Sequence, residues 1–456
     1  MTASGVICLA AALFAGSVSA QDVSAATADD ERDAPLTASF GPMSALQEEP
    51  EQRIERARQA VDDLQTQGGV YASPLSEALV ELGRAYRDAG QHEPAAIAFT
   101  EALQVARINH GLHNLWQAPY LNLVIEENVM LGRWDQVGEQ FQYLYRIHKR
   151  NYGDKDPRLV PVIEEMVLAK LAIHNAASDI PVAFLQQSLG LLNDAIEIIE
   201  LHYSDNVDRM AEALYLVARF NYAIAAQVGR PLDDSDYRRA RRSGRHGRGG
   251  AAFVDEEVDQ SVQLIARMER DGRRALKRIE ALYETDAPAR LFPRALAVAR
   301  QGDWLQLYRS GSAHRYYKRA YRMLAEMEDS EKYIARVFGK PRLLPAMTSA
   351  QEVERAASPP DRLKQEGEII ELEFDVRASG QPHEIRDRQV PADLTDETAR
   401  LWRQIETWRF RPRMANGKPV STRMVQRLLR TDDGEFFVLS TEPERARLAK
   451  TEQASP

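Results

Sequence analysis

A chain of 456 residues is too long for one hydrophobic core of ordinary size and predicts two to four domains. Hydrophobic residues make up 44% of it and charged residues 28%, proportions typical of a soluble globular protein. The formal net charge of −9 argues against a protein that binds nucleic acid through bulk electrostatic attraction.

The first twenty residues carry no charged side chain and contain an apolar run from Val6 to Phe14, followed by small residues. This pattern predicts a cleavable signal peptide at residues 1–20, with cleavage after Ala20. The segment lacks the Lys or Arg that such signals usually carry, so a disordered or buried N-terminus and an uncleaved anchor remain as alternatives. The only cysteine, Cys8, lies in this segment. A processed chain would therefore have no thiol for a disulfide, a metal or catalysis.

Residues 21–50 are rich in Ala, Asp, Ser and Thr, which predicts disorder. A helix is expected over 51–67, ending at Gly68-Gly69. From Ser73 the apolar and small residues predict two helices separated by a break at Gly90. Six positions of this pattern resemble the tetratricopeptide repeat: Leu82, Gly83, Tyr86, Ala95, Phe99 and Ala102.

A shift of 42 residues places Leu121 on Leu79, Val124 on Leu82, Gly132 on Gly90 and Phe141 on Phe99. We therefore expect a repeat-like helical array over 51–338, with a concave surface suited to binding helices or extended peptides. A degenerate last repeat is predicted with its turn at Gly302 and with Tyr317 and Ala320 on its second helix.

An Arg- and Gly-rich segment, YRRARRSGRHGRGG, interrupts the array near residues 232–254. It suggests either a patch for anionic partners or a solvated, disordered insertion. The second interpretation is preferred, because acidic residues on both sides cancel its field beyond a Debye length of about 8 Å.

After a predicted linker at 339–365, the periodicity changes. Ile370, Leu372, Phe374 and Val376 alternate with charged residues, which predicts a half-buried strand. We expect five elements to follow: a turn at Gly380, a short strand over 383–388, a helix over 395–407 and strands over 420–429 and 435–439. The chain is thus predicted to be mostly α, a repeat-like solenoid followed by a small α+β domain at 366–440 and a disordered tail at 441–456.

The stretch TWRFRPRMANGKPV, at residues 407–420, lies between that helix and the next strand. Together with the preceding strand it resembles the C-terminal domain of TonB energy transducers over about 70 residues. The positions that carry the resemblance are Gly367, Phe374, Val376, Gly380, Trp408, Arg409, Phe410, Pro412, Gly417, Pro419 and Val420. The resemblance implies a periplasmic domain that binds an extended peptide of an outer-membrane receptor.

Most of these positions also have a structural explanation. Trp408 and Phe410 would seal the helix onto the sheet, Pro412 would end strand pairing, and Asn416-Gly417 would form a turn. Peptide binding would then use an exposed sheet edge. The candidate edge strand contains Thr422, Arg423, Met424 and Arg427, with the strand at 435–439 as the alternative. The two arginines could meet acidic partner residues or simply be solvated charges that guard the edge.

The chain departs from the transducer pattern because helical repeats replace a membrane anchor and a proline-rich spacer. We therefore expect a periplasmic adaptor that binds protein segments, possible partners being an outer-membrane receptor or another envelope protein. The alternative is a transducer with a retained N-terminal anchor. A third hypothesis is an unrecognised enzyme or an envelope-assembly factor.

The sequence offers little support for catalysis. It contains no metalloprotease, serine-hydrolase or phosphate-loop motif. His110 and His113 have a spacing seen in metal sites, but no third ligand is evident and the surrounding residues predict a loop. We expect no enzyme activity, no metal and no cofactor.

Overall fold

The computed structural model describes residues 49–69, 71–176, 180–229, 256–285, 287–309, 311–344, 368–389, 401–402, 405–430 and 436–438. Several predicted segments lie outside these ranges: the signal peptide, the Arg-rich segment, Gly367 and the C-terminal tail. The ranges also leave out most of residues 21–50, most of the linker and most of the N-terminal half of the 395–407 helix. The chain forms two compact units, residues 2–198 and 199–456. No helix in the described ranges is both long enough and apolar enough to cross a membrane.

The protein is mostly helical, with a small antiparallel sheet region near the C-terminus. The helices in chain order are α1 Pro50–Gly68, α2 Leu75–Asp88, α3 His92–His110, α4 Ala118–Met130, α5 Trp134–Tyr152, α6 Leu159–Ala176, α7 Val182–His202, α8 Val207–Gly229, α9 Glu256–Leu282, α10 Leu291–Leu307, α11 Ala313–Ala325 and α12 Ser330–Phe338.

In the first unit, each helix from α1 to α5 packs against the next one in the chain. Gly69, Gly111 and Gly153 follow α1, α3 and α5, all with positive φ and at intervals of 42 residues. Gly90 and Gly132 occupy the turns inside the pairs α2–α3 and α4–α5, with φ of 72° and 67°. Glycine adopts this conformation without the cost that a Cβ would impose. The 42-residue offset therefore relates two successive helix pairs.

Close helix packing in the first pair depends on Gly83. A Cβ placed on Gly83 would lie 2.4 Å from the ring of Phe99, which is fully buried on α3. The absent side chain leaves room for the aromatic ring. Phe141 is buried in the same way on α5, and Leu79 and Leu121 are buried on the first helices of the two pairs.

The second unit contains the same kind of contact, and here one prediction was wrong. Gly302 lies within α10 rather than at a turn. A Cβ on Gly302 would meet the Tyr317 ring on α11 at 2.5 Å, so Gly302 has the packing role that Gly83 has with Phe99. The turn between α10 and α11 comes later, where Arg309 has a φ of 54°.

The strands of the described ranges belong to the second unit and form one four-stranded antiparallel sheet and two short ladders. The strand order of the sheet is β3-β2-β7-β8, and the ladders pair β1 with β4 and β5 with β6. The strands are β1 Arg342–Leu343, β2 Glu368–Val376, β3 Pro382–Gln389, β4 Phe410–Arg411, β5 Arg413–Ala415, β6 Lys418–Val420, β7 Thr422–Arg430 and β8 Phe436–Val438. Residues 342–343 therefore pair with the terminal domain, although they fall in the segment predicted as a linker.

One face of the sheet is apolar and the other is charged. Alternate residues of β2, from Ile370 to Val376, are buried with Phe410 and with Leu401 and Ile405 of the partly described helix. The intervening Glu371, Glu373 and Asp375 lie on the opposite face. This period-two alternation is what the sequence predicts for a sheet with one buried face.

Candidate functional site: the repeat groove and the terminal sheet

The first unit contains a groove between α2 and α4, the first helices of the two repeated pairs. Its volume is about 550 Å³, within the range of small binding sites. It is lined by Pro74, Glu77, Ala78, Val80, Glu81, Arg84, Pro119, Tyr120 and Leu123. The groove lies where residues of α2 and the start of α4 face each other across the first repeated pair.

Two contacts define the walls of this groove. The Tyr120 hydroxyl of α4 donates to Ser76 Oγ on α2 at 3.3 Å, which links the two helices. Arg84 Nη1 donates to Glu81 Oε1 at 2.6 Å, one turn back on α2. The Arg84 charge is therefore largely compensated within its own helix, while Glu77 projects from the same helix as an exposed carboxylate.

Beyond the groove, buried charged groups join the two repeats. Arg87, in the last turn of α2, forms ion pairs with Glu126 and Glu127 of α4, the first at 2.8 Å. His92 Nδ1, at the start of α3, lies 2.8 Å from the second oxygen of Glu127. Burial raises the pKa of the Glu126 carboxyl despite the nearby Arg87. A partner removed from this cluster would leave an uncompensated buried charge.

In the second unit, the residues of the WRFRP motif alternate between two cores. Phe410 is fully buried in the sheet core, with its ring centroid 5.6 Å from that of Phe374. The half-buried Trp408 packs against the same cluster, 6.3 Å from Phe410. These two aromatics therefore seal the sheet core, as their spacing predicted.

The next residue, Arg411, faces the helices instead. Its Nε donates to Asp303 Oδ1 of α10 at 2.8 Å, and its Nη2 donates to the other carboxylate oxygen. Both side chains are completely buried. Tyr317 and Arg300 also donate to Asp303, at 3.1 Å and 3.2 Å. Burial would raise the pKa of the Asp303 carboxyl, but Arg411 and Arg300 outweigh it and hold that pKa below its usual value.

Arg409 and Pro412 have backbone roles. Arg409 Nη1 donates to the carbonyl oxygens of Glu406, Thr407 and Trp408 at 3.2, 3.0 and 2.7 Å, and so caps the end of the preceding helical turn. Pro412 is buried between β4 and β5, where its missing N–H coincides with the change from one ladder to the next.

Asn416 and Gly417 form the two-residue turn of the β5–β6 hairpin, with φ of 50° and 72°. Pro419 pairs with Met414 and Val420 with Arg413, so both belong to this hairpin rather than to the strand that follows. Met414 packs into the helical cluster around Phe292 and Phe338. The motif thus fastens the terminal sheet to α10–α12 on one side while it fills the sheet core on the other.

The predicted edge strand is not the outermost strand. Thr422, Arg423, Met424 and Arg427 lie on β7, which pairs along its whole length with β2. On its other side β7 pairs with β8 at residues 428–430. Among the described strands, the rim of β7 over 422–427 is open on that second side, and β3 and β8 are the outer strands.

The two arginines of β7 are also engaged within the chain. Arg427 Nε lies 2.7 Å from Glu371 Oε1, and Arg423 lies 3.5 Å from both Glu373 and Asp375. They therefore form cross-strand ion pairs on the charged face of the sheet. Met424 faces the sheet core.

The histidines predicted to lie in a loop do not come together as a metal site. His110 ends α3 and stacks on Trp116 with ring centroids 5.7 Å apart, while His113 follows in the connection with a φ of 74°. Within the described ranges, no three His, Cys, Asp or Glu side chains are grouped as metal ligands.

Sequence reasoning missed the Asp303–Arg411 pair and the Arg87–Glu127 cluster. Asp303 stands 108 residues before Arg411, and no local pattern connects two positions so distant. The sequence offered one weak signal, a charged residue next to Trp304 and Leu305 in the stretch QGDWLQL of α10.

No protein-family model matches the chain, and a search of curated proteins finds no match either.

Proposed function

We propose that the protein is an adaptor that binds segments of other proteins, with the groove between α2 and α4 as its main binding surface. The observation that carries this proposal is the 550 Å³ groove itself, formed by equivalent helices of two repeated pairs. Helical repeats bury their own core between neighbours and leave such a face open to a partner. The array would thus be a tetratricopeptide-like solenoid.

The terminal sheet offers a second site, because the open rim of β7 over 422–427 and the outer strand β8 present backbone groups to an added strand. The domain would belong to the TonB C-terminal type suggested by its WRFRP and NGKP residues. Arg411 binds Asp303 of α10 while its neighbour Phe410 packs into the sheet core, so a segment bound to the sheet would be held in a fixed orientation to the helices of the second unit.

The signal-like N-terminus and the resemblance to TonB support a periplasmic location, with an envelope protein as partner. A periplasmic location also fits the cysteine content, because the only cysteine, Cys8, lies within the predicted signal peptide. The proposal includes no catalytic step and no cofactor.

The test is a comparison of partner recovery by matched variants of the full chain, isolated from the envelope fraction. Leu123→Arg places a long charged side chain in the groove. Ile97→Arg is its control, because Ile97 is 55% exposed on α3 and does not line the groove. We expect Leu123→Arg to lose the co-purifying protein and Ile97→Arg to keep it. Equal recovery by both variants would contradict binding in the groove.

A further inference from the structure

We infer that the segment bound in the groove is an extended peptide that carries basic side chains between proline and apolar residues. This inference rests on the proposed function, since it specifies the occupant of the same groove.

The shape of the groove favours an extended occupant. Pro74 and Pro119 stand at the starts of α2 and α4, and the Tyr120 ring lies beside them. Polyproline-type peptides dock on aromatic side chains such as Tyr120 and lose little conformational entropy on binding. Leu123 and Val80 supply apolar surface for the side chains that alternate with the charged ones.

The charge of the groove favours a basic occupant. Three charged residues line it, and Arg84 pairs with Glu81 at 2.6 Å. Glu77 has no ion-pair partner within the described part of the chain. The groove therefore has an uncompensated carboxylate, to which Arg or Lys of a partner would be attracted.

The experiment measures binding of two fluorescent peptides to the purified full chain by anisotropy. One peptide alternates Arg with Pro and Leu, and its twin has Glu at every Arg position. We expect the Arg peptide to bind about tenfold more tightly, because the exposed carboxylate of Glu77 attracts the Arg side chains and repels the Glu side chains of the twin.

Matched variants locate the interaction. Glu77→Gln should weaken binding of the Arg peptide about threefold, because one partly exposed ion pair is lost. Glu77→Arg should weaken that binding further, because the new charge repels the peptide. Glu101→Gln is the control, because Glu101 is exposed on α3 and does not line the groove. It should leave the affinity unchanged.

Equal affinity for the two peptides, no binding of either one, or an equal effect of Glu77→Gln and Glu101→Gln would each overturn the inference. The proposed function is judged separately, by recovery of the natural partner with Leu123→Arg and Ile97→Arg. If Leu123→Arg loses the natural partner but the two peptides bind equally, the groove is still the binding surface and the inference of a basic occupant is wrong.

Discussion

Asp303 on α10 and Arg411 on β4 form a fully buried ion pair that joins the last helices to the β1–β4 ladder, whose Phe410 packs into the core of the terminal sheet. The bidentate geometry uses both carboxylate oxygens, and Arg300 and Tyr317 complete the hydrogen bonding of Asp303. Such a pair adds little net stability over an apolar contact of the same size, but the loss of one partner is costly. The WRFRP motif therefore does more than build the sheet, because its second arginine fixes the position of the sheet on the helices.

The first prediction concerns this pair. Asp303→Asn should lower the free energy of unfolding by about 3–5 kcal/mol, since Arg411 and Arg300 would remain buried without a counter-charge. Urea denaturation of the full chain, followed by tryptophan fluorescence, measures the change. The exposed pair of Arg84 with Glu81 is the control, and Arg84→Ala should cost less than about 1 kcal/mol.

A double variant tests whether the two residues act together. Asp303→Asn combined with Arg411→Met should cost clearly less than the sum of the two single changes, because the second substitution removes the charge that the first one leaves unpaired. Strict additivity would mean that the pair does not exist in solution.

The second prediction concerns the glycines under the aromatic rings. Gly83→Ala and Gly302→Ala should each destabilise the protein by about 1–3 kcal/mol, since the new Cβ would overlap the ring of Phe99 or Tyr317. Gly190→Ala is the matched control. Gly190 lies inside α7 with no atom within 4 Å of an added Cβ, so alanine should stabilise by up to about 1 kcal/mol. Thermal melts of the three variants should therefore shift in opposite directions, and a common shift would refute the packing.

The third prediction concerns pH. Lys170 is buried on α6, where Nζ donates to Gln187 Oε1 at 2.9 Å and to the carbonyl of Phe184 at 3.3 Å. Burial lowers the pKa of Lys170 from 10.5 to about 7. In this range the unfolded chain binds more protons, so this group makes the folded state progressively more stable as the pH rises from about 7 to 10.5.

Lys170→Met should remove this dependence and raise the stability at neutral pH. Urea midpoints of the wild-type and variant chains across that pH range provide the measurement. Parallel curves for the two chains would show that Lys170 titrates normally.

The fourth prediction concerns processing. If the N-terminal segment is a cleaved signal, the mature chain should begin at Gln21, and N-terminal sequencing of the protein from its native host would show this directly. An intact Met1 in the membrane fraction would instead support the transducer alternative.

The sequence predicted those features that depend on local patterns. Positive φ at Gly90, Gly132 and Gly417 follows from the turns that only glycine adopts easily, and the burial of Phe374 follows from strand alternation. The turn predicted at Gly302 was wrong, because the sequence pattern does not distinguish a glycine in a turn from a glycine that leaves room for the aromatic ring of a neighbouring helix. The pairing of β8 with residues 428–430 of β7 was not predicted, because strand order depends on non-local contacts; the candidate edge at 422–427 stays a prediction.

The most direct test of the adaptor proposal is photocrosslinking in intact cells, with a photoreactive amino acid at position 78 in the groove or at position 101 on α3. Position 78 should give a specific adduct with another protein, and Leu123→Arg should abolish it. Position 101 should give none. The absence of an adduct from position 78, or the same adduct from both positions, would contradict the claim that the groove between α2 and α4 binds a partner.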